Sequence, residues 1–442
     1  MNDDTIKIGD YLIIQKQNYR KLHKFTKPNS SINLGRDSVN LSGIEGCPYF
    51  SVFKMISLGG KRNKEYILER TDAAVNLKDE IDVKVSGNDN RNILDDGRSQ
   101  KLSAAEIEEL KCDAVKASDI VETLITNSNT FHNKTEFSQE KYLKKKEKKY
   151  FEYLQVVRPN LRLITEVMYR LDPGKIQGIR IDTLSQIMTL SNIQSEGVHL
   201  LYDSGSNGLV AAALLSAIGA NTNGKLVHMH PGNMSQKQGL LAMNFSEEHL
   251  CRCISVNVYS VLRQFHQGCD VNVSIDLADS NYEKNKLKRK APNDNKDINE
   301  PKNKMQKVEN GDEKSTENIN ISNSSDLQIE PKKPKWHFDN ITASDLLKEK
   351  VDSLIITCKE DPLSIFKELV EFVKPGRPFV VYYPVVEPLL QLYLTLRSYS
   401  NVAALKITCN WMRNYQVLPE RTHPEVTMNC SSGFLLTGYV LK

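Results

Sequence analysis

Over roughly the first eighty positions, short runs of β-branched and aromatic residues alternate with turn-forming clusters. Ile8–Ile14 (IGDYLII), Tyr49–Phe53 (YFSVF) and Glu65–Leu68 (EYIL) each have the length of a strand. Lys27-Pro28-Asn29-Ser30 and Gly59-Gly60 supply the turns. The pattern predicts a small β-barrel or sandwich over 1–88. From 89 to 160 the period lengthens. A polar loop leads to Ser103-Ala104-Ala105-Glu106, a capping box that opens a helix to about Val115. A second helix follows Asp119-x-x-Glu122. A third is predicted after Ser138, through a lysine-rich stretch to about Val157, where Arg158-Pro159 stops it.

From about Leu161 to the last residue, 442, strand and helix patterns alternate. Val198–Gly219 reads as a strand, a sharp glycine turn and an apolar helix. Lys225–His230, Ile254–Val258, Val351–Thr357, Phe379–Tyr383, Val402–Trp411 and Gly433–Val440 are the further strands, the last two a closing hairpin. This predicts an α/β domain over 161–442 with a Rossmann-like seven-stranded sheet, the doubly wound form that methyltransferases use. Residues 280–336 interrupt it. They are rich in Asn, Lys, Glu, Asp, Ser and Pro and nearly free of aromatics, so a disordered insertion is expected.

Charge changes this picture little. The 442 residues carry 59 basic and 55 acidic side chains, a net +4 that by itself argues for no partner. Eight scattered cysteines fit reduced thiols. The opening MNDDTIK does not read as a signal peptide, and no apolar run has the length of a bilayer span, so a soluble intracellular protein is expected.

The glycine turn carries the sharpest chemistry. A methyl-donor site of this kind wants an acid followed by Gly-x-Gly-x-Gly. Asp203 and Gly205 are in place, but Asn207 and Leu209 stand at the second and third glycines, with Gly208 between them. A side chain at the second position is expected to intrude on the donor's volume. The second strand ends His228-Met229-His230-Pro231-Gly232, without the carboxylate that would hold ribose hydroxyls. At the end of the fourth strand, where a carboxylate would serve as general base, Thr357-Cys358-Lys359 occupies the register, and a bulge could bring Asp361-Pro362 back to it. The expectation is a degenerate site at Asp203, Gly205, Asn207 and Gly208, with no catalytic residue and no cofactor held by this chain. His249-x-Cys251-x-Cys253 matches no common zinc spacing and reads as a thiol pair, and no metal is expected. His228 and His230 alternate on one strand face and read as packing.

Three stretches carry basic or aromatic residues suited to RNA. Lys141, Lys144, Lys145, Lys146, Lys148 and Lys149 crowd three helical turns around Leu143 and Glu147. Their mutual repulsion is relieved by phosphates, and Tyr142 and Tyr150 bracket them. Leu143, Tyr150, Leu154 and Val157 mark the packing stripe of that helix. A loop holds Asn90, Arg91, Asn92, Ile93, Leu94, Asp95, Asp96, Gly97, Arg98, Ser99 and Gln100. A second holds Arg413, Tyr415, Gln416, Val417, Leu418, Pro419, Glu420, Arg421, Thr422 and His423, at the sheet end where ligands enter. Arg377, in the turn Lys374–Pro378, has two readings from its position, a cap on the preceding helix or a reach to phosphate.

Four motifs, DNRNILDDGRSQ (89–100), TFHNKTEFSQEKYLKKKEKKY (130–150), KPGRPFVVY (374–382) and RNYQVLPERTHP (413–424), together closely resemble the non-catalytic subunits of eukaryotic tRNA (adenine-N1)-methyltransferase. The resemblance covers nearly the whole chain except the insertion. It implies a methyltransferase fold, and assembly with a catalytic subunit into a two-plus-two heterotetramer. It also implies a grip on tRNA while a T-loop adenosine becomes 1-methyladenosine, S-adenosylmethionine being held by the partner. It assigns the three basic stretches and Arg377 to tRNA. The clusters Lys284–Lys290 and Pro331–Lys335 suit nuclear import, so a nuclear location is expected, without membrane attachment. Two other readings stay open: an active RNA methyltransferase using Asp203 and a shifted Asp361, and a free-standing RNA-binding scaffold.

Overall fold

The computed structural model describes residues 4–35, 37–58, 64–73, 86–87, 89, 99–112, 117–150, 152–268, 334–417, 422–426, 428 and 430–441. Its first part is a seven-stranded sheet built from β1 (Tyr11–Lys16), β2 (Tyr19–Lys24), β3 (Ser31–Leu34), β4 (Asp37–Asn40), β5 (Val52–Ser57), β6 (Lys64–Thr71) and β7 (Tyr153–Val157), in the order β2-β1-β7-β5-β6-β4-β3. Successive residues of β1 point to opposite faces. Leu12 and Ile14 join Phe25, Val39, Phe53 and Val156 in the core of this sheet, whereas Ile13 faces away and packs with Val157 in the core of the second part. The two parts are therefore welded along β1. Asn244 adds a two-point clamp, donating to the Tyr11 carbonyl at 2.8 Å and accepting from the Tyr11 amide at 2.8 Å.

Helices α1 (Ala104–Cys112), α2 (Ala117–Thr126) and α3 (Glu136–Tyr150) lie between β6 and β7 in the chain. The capping box forms as expected: the Ser103 amide donates to Glu106 at 2.7 Å and the Glu106 amide to Ser103 Oγ at 3.3 Å. Ile120, Val121, Leu124, Phe131, Leu143 and Tyr150 make a small core of their own. One expectation is corrected here. The lysine-rich helix does not run on to Val157 but ends at Tyr150, and 153–157 form a strand inserted between β1 and β5. Alternating burial along YLQVV suits a strand with covered faces, and backbone partners on both sides outweigh helix continuation. Leu154 and Val157 therefore leave the packing stripe assigned to the helix.

The second part opens with α4 (Leu161–Leu171) and α5 (Ile181–Leu190). There follow β8 (Val198–Asp203), α6 (Leu209–Ile218), β9 (Lys225–His230), β10 (Cys253–Asn257), α7 (Val258–Gln267), α8 (Lys335–Lys348) and β11 (Ser353–Thr357). The chain ends with α9 (Pro362–Leu369), β12 (Pro378–Tyr383), α10 (Glu387–Arg397), β13 (Val402–Trp411), β14 (Tyr415–Gln416), β15 (His423–Pro424) and β16 (Ser431–Val440). The sheet order is β10-β9-β8-β11-β12-β16-β13, parallel except for β16, which runs antiparallel between β12 and β13. This is the expected Rossmann-like arrangement. Helices cover both faces, so β8, β11 and β12 are buried on each side and read as continuous apolar runs. Strand order reverses between β8 and β11, the switch point where such sheets take ligands. The insertion expected at 280–336 falls outside the described residues as far as 333, and its last two positions, Lys335 and Trp336, belong to α8. Among the described residues no helix is long and apolar enough to cross a membrane.

Candidate functional site

β8 delivers Asp203 to the switch point, and the turn 204–208 leads into α6. The Asp203 carboxylate is buried and turned inward. Its Oδ1 accepts from the Gly205 amide at 3.1 Å, the Ser206 amide at 2.8 Å and Thr357 Oγ1 at 3.2 Å, and its Oδ2 accepts from the Ser206 hydroxyl. The acid that would face a ligand instead staples its own turn. Asn207 and Gly208 both adopt left-handed backbone, φ 56° and 75°. Asparagine tolerates that conformation better than most residues, so the backbone turn survives the loss of glycine. The Asn207 side chain, expected to intrude on the donor's volume, is directed to Gln238 Oε1 at 2.8 Å.

Two side chains from elsewhere in the chain lie over the turn. A Cβ built on Gly205 would lie 2.6 Å from Lys359 Cε and 2.7 Å from Gln177 Nε2, so these two side chains meet directly over the turn. A Cβ on Gly208 would lie 2.7 Å from the Gln236 carbonyl, which places the segment after β9 against the start of α6. At the end of β9, His230 Nδ1 donates to the Gly232 carbonyl at 2.7 Å, while His228 lies 3.9 Å from Asp203. Burial pushes the His228 imidazole down to about 4, leaving it neutral at ordinary pH. The two rings lie on one strand face, 6.1 Å apart.

At the end of β11, Thr357 pairs in register with Asp203 and Lys359 follows, as expected. Asp361 does not return to the strand end. It caps α9, accepting from the amides of Leu363 and Ser364 at 3.3 and 3.0 Å and from Ser364 Oγ at 2.6 Å. The Ser364 hydroxyl bond, helped by those amides, holds its carboxyl below the usual range. Gly205 thus lies under two side chains, Asp203 is consumed by its own turn and Asp361 is committed to a cap.

The other candidate residues divide by position. On α3, Lys141, Lys144 and Lys145 are exposed, with Lys144 paired to Glu140 at 3.2 Å. Lys146 is half-buried, its Nζ 5.0 Å from the Tyr142 ring and 5.9 Å from that of Tyr150. Leu143 and Tyr150 are core residues, and Tyr142 packs edge-on against Phe131 at 5.2 Å. The bracketing tyrosines thus anchor the helix and line the Lys146 ammonium instead of standing free in solvent. For Glu147, Lys148 and Lys149 only the backbone is described.

Of the first loop, Asn90, Arg91, Asn92, Ile93, Leu94, Asp95, Asp96, Gly97 and Arg98 lie outside the described residues. Ser99 and Gln100 close onto α2: the Ser99 carbonyl accepts from the Asn129 amide at 2.9 Å and Gln100 Nε2 donates to the Leu124 carbonyl at 3.1 Å. In the second loop, Arg413 is half-buried, with Nε lacking a partner among the described residues. Tyr415, Gln416, Val417, Thr422 and His423 are exposed, and Leu418, Pro419, Glu420 and Arg421 lie outside the description. Because β13 runs parallel to β12, this loop sits at the same end of the sheet as Gly205. Arg377 sits at the opposite end. Its guanidinium lies 3.0 Å from Asp352, which Lys374 also reaches at 3.2 Å and which accepts from the Val198 amide at 3.0 Å. The KPGRP turn is thus a clamp at the root of β8 and β11.

His249 donates Nε2–H to the Leu215 carbonyl at 2.8 Å, and burial pushes the Cys253 thiol up to about 11. Among the described residues no three His, Cys, Asp or Glu side chains are grouped to hold a metal ion.

A model of the Gcd10p family matches residues 5–314. The chain belongs to the Gcd10p family. It is 30% identical, over all of its own length and 89% of the relative's, to the mouse tRNA (adenine(58)-N(1))-methyltransferase non-catalytic subunit TRM6. The Dictyostelium discoideum protein of that name is 30% identical over 98% of this chain and 79% of the relative. That of Schizosaccharomyces pombe is 24% identical over 93% and 87%. Among solved structures, tRNA (m1A58) methyltransferase TrmI from Aquifex aeolicus superposes with a TM-score of 0.45 at 12% identity, covering 99% of both chains. A SAM-dependent O-methyltransferase from Thermotoga maritima gives 0.47 at 10%, covering 99% of this chain and 96% of its own.

The two residues that decide the state of the cradle in this family member, Gln177 and Lys359, escaped the reading of the sequence. Gln177 lies 28 positions before Gly205 in an irregular connection with no motif around it. In the sequence Lys359 reads only as the absence of an acid. A cation where a carboxylate is expected, facing a glycine turn, was the available signal.

Proposed function

We propose that this chain is the non-catalytic, tRNA-binding subunit of a heterotetrameric tRNA (adenine-N1)-methyltransferase that forms 1-methyladenosine in the T-loop. The observation that carries the reading is the covered Gly205 turn on an otherwise intact methyltransferase sheet. The fold that a donor would need is kept, and its seat is taken by side chains of the chain itself. Membership of a family whose relatives are named non-catalytic subunits supports it. In this reading the catalytic partner holds S-adenosylmethionine, in a two-plus-two assembly located in the nucleus. The exposed lysines of α3 and the loops around 90–100 and 413–423 grip tRNA. The first sheet acts as a closed barrel, an arrangement supported by Lys21 of β2 donating to the Asn33 carbonyl of β3 at 2.8 Å. The helices up to residue 160 act as its connector to the methyltransferase-like domain.

Reconstitution tests the proposal. The purified chain, the candidate catalytic subunit and their mixture are assayed on tRNA, and the lone chain is titrated calorimetrically with adenosylmethionine. Activity is expected in the mixture, with no donor binding by the lone chain. Micromolar donor binding or methylation by the chain alone would refute it.

A further inference from the structure

Gln177 is 7% exposed, and neither its Oε1 nor its Nε2 has a hydrogen-bond partner among the described residues. Its backbone is held firmly. It stands in left-handed conformation at φ 53° after a short 3-10 turn, and its carbonyl accepts from Tyr382 Oη at 2.7 Å. The side chain is thereby aimed at Gly205, beside Lys359. Lys359 is anchored through its main chain, the amide donating to Ser204 Oγ at 2.9 Å and the carbonyl accepting from Tyr383 Oη at 3.2 Å, while its side chain is exposed. The nearby acids are engaged. Asp203 is bound to its turn, Asp361 to α9, and Glu360 accepts from Ser204 Oγ at 2.6 Å and from the Lys359 amide at 3.2 Å. Among the described residues, the Gln177 amide donor and acceptor and the exposed Lys359 ammonium are left facing Gly205 at the switch point of the sheet.

We propose that this cradle now binds a ribose–phosphate unit, with RNA as its source: a ribose 2′-hydroxyl donates to Gln177 Oε1, and the adjoining 3′-phosphate accepts from Gln177 Nε2 and Lys359 Nζ. A phosphodiester without the hydroxyl would leave Oε1 unanswered, and an apolar ligand would leave both amide atoms so. A 2′-hydroxyl beside a phosphate answers all three groups, and RNA alone carries the pair along its backbone. Phosphate binding draws the Lys359 side chain, which lies beside Gln177 over Gly205, towards the ligand. The inference rests on the tRNA-binding reading above and adds to it a contact made by the two side chains that cover Gly205.

The test uses the reconstituted complex with tRNA, with an all-deoxy copy of the T-arm hairpin, and with adenosine 3′-monophosphate. Lys359→Ala is expected to weaken tRNA binding about tenfold and to make the salt dependence shallower by about one unit of log–log slope. Gln177→Leu is expected to weaken tRNA binding more than binding of the deoxy hairpin, which loses the phosphate contact to Nε2 and has no 2′-hydroxyl contact to lose. Gln177→Glu, of the same shape, is the second variant should the leucine form fail to fold. Adenosine 3′-monophosphate binding that the variants abolish, with tRNA affinity unaltered, would overturn RNA as the source and assign the seat to a free nucleotide. Folded Lys359 and Gln177 variants with wild-type affinity for every probe would overturn the site. If Lys144→Glu/Lys145→Glu then weakens tRNA binding, the grip on RNA stands without this contact; if it does not, the tRNA-binding reading fails as well.

Discussion

Replacing Asp203 by Ala and by Asn separates a staple from a ligand-binding acid. The three donors to Oδ1, from Gly205, Ser206 and Thr357, lie at 3.1, 2.8 and 3.2 Å, and only the Ser206 hydroxyl uses Oδ2. Alanine removes both acceptor oxygens and strands two buried amides and the Ser206 hydroxyl, the Thr357 hydroxyl keeping a weaker bond to the Tyr202 carbonyl at 3.4 Å. At roughly 1–3 kcal/mol for each stranded donor, with partial relaxation, the loss is about 3–5 kcal/mol. Asparagine with its carbonyl oxygen at the Oδ1 position keeps all three. The Ser206 hydroxyl then turns from donating to accepting, and the loss is about 1 kcal/mol. Urea unfolding of the full chain, read as a midpoint shift at unchanged slope, measures both values. Methylation by the reconstituted complex, normalised to folded protein, should survive Asp203→Asn. Equal destabilisation by the two variants would refute the assignment of the bonds to one oxygen. Wild-type stability with lost methylation in Asp203→Asn would show that the negative charge itself is used, as donor binding would require.

Other perturbations reach other parts of the molecule. Lys144→Glu/Lys145→Glu should lower tRNA affinity and flatten its salt dependence, with stability almost unchanged because the Glu140 pair is exposed; filter binding over a salt series measures this. Asp352→Ala should destabilise the chain by about 2–3 kcal/mol, the full effect of breaking a buried pair being reduced by the partial exposure of Lys374 and Arg377. Burial works to raise the Asp352 carboxyl, but the Val198 amide and the two cations outweigh it and hold it below the usual range. Its stabilisation is therefore complete above the ordinary carboxylate value near about 4 and is lost as pH falls through the lower folded value. Asp352→Asn should remove that part of the acid limb in unfolding curves taken as a function of pH. Asp361→Ala should cost about 1 kcal/mol through the lost cap and leave the complex's methylation rate intact; a rate loss beyond tenfold at full folding would revive Asp361 as a base.

The strands of the second sheet were legible because burial on both faces leaves short apolar runs such as Leu354–Ile356 and Phe379–Tyr383, without the spacing of an amphipathic helix. Ser103 and Glu106 announced a helix start because a capping box is a local device. β7 was hidden for the opposite reason. No glycine or proline separates Tyr150 from Tyr153, and the strand exists only through partners more than a hundred positions earlier, Ile13 with Val157 and Val52 with Gln155. At the cradle, the decay of the glycine motif could be read directly, whereas its filling could not. Gln177 and Lys359 come from two distant connections, and nothing in either segment says that they meet over Gly205. Arg377 shows the same limit. It looked available for phosphate, yet its carboxylate partner, 25 positions back, binds it at the far end of the sheet.

The position of β7 has a consequence for biogenesis. Because Tyr153–Val157 fill the gap between β1 and β5, the sheet that begins at residue 11 stays split until the ribosome has released residue 157. The earlier strands must wait, half paired, while the whole lysine-bearing excursion is made. A fragment cut at 88, however complete its first six strands, would expose two raw edges where its middle should be, and the shortest self-sufficient N-terminal piece carries the three intervening helices with it.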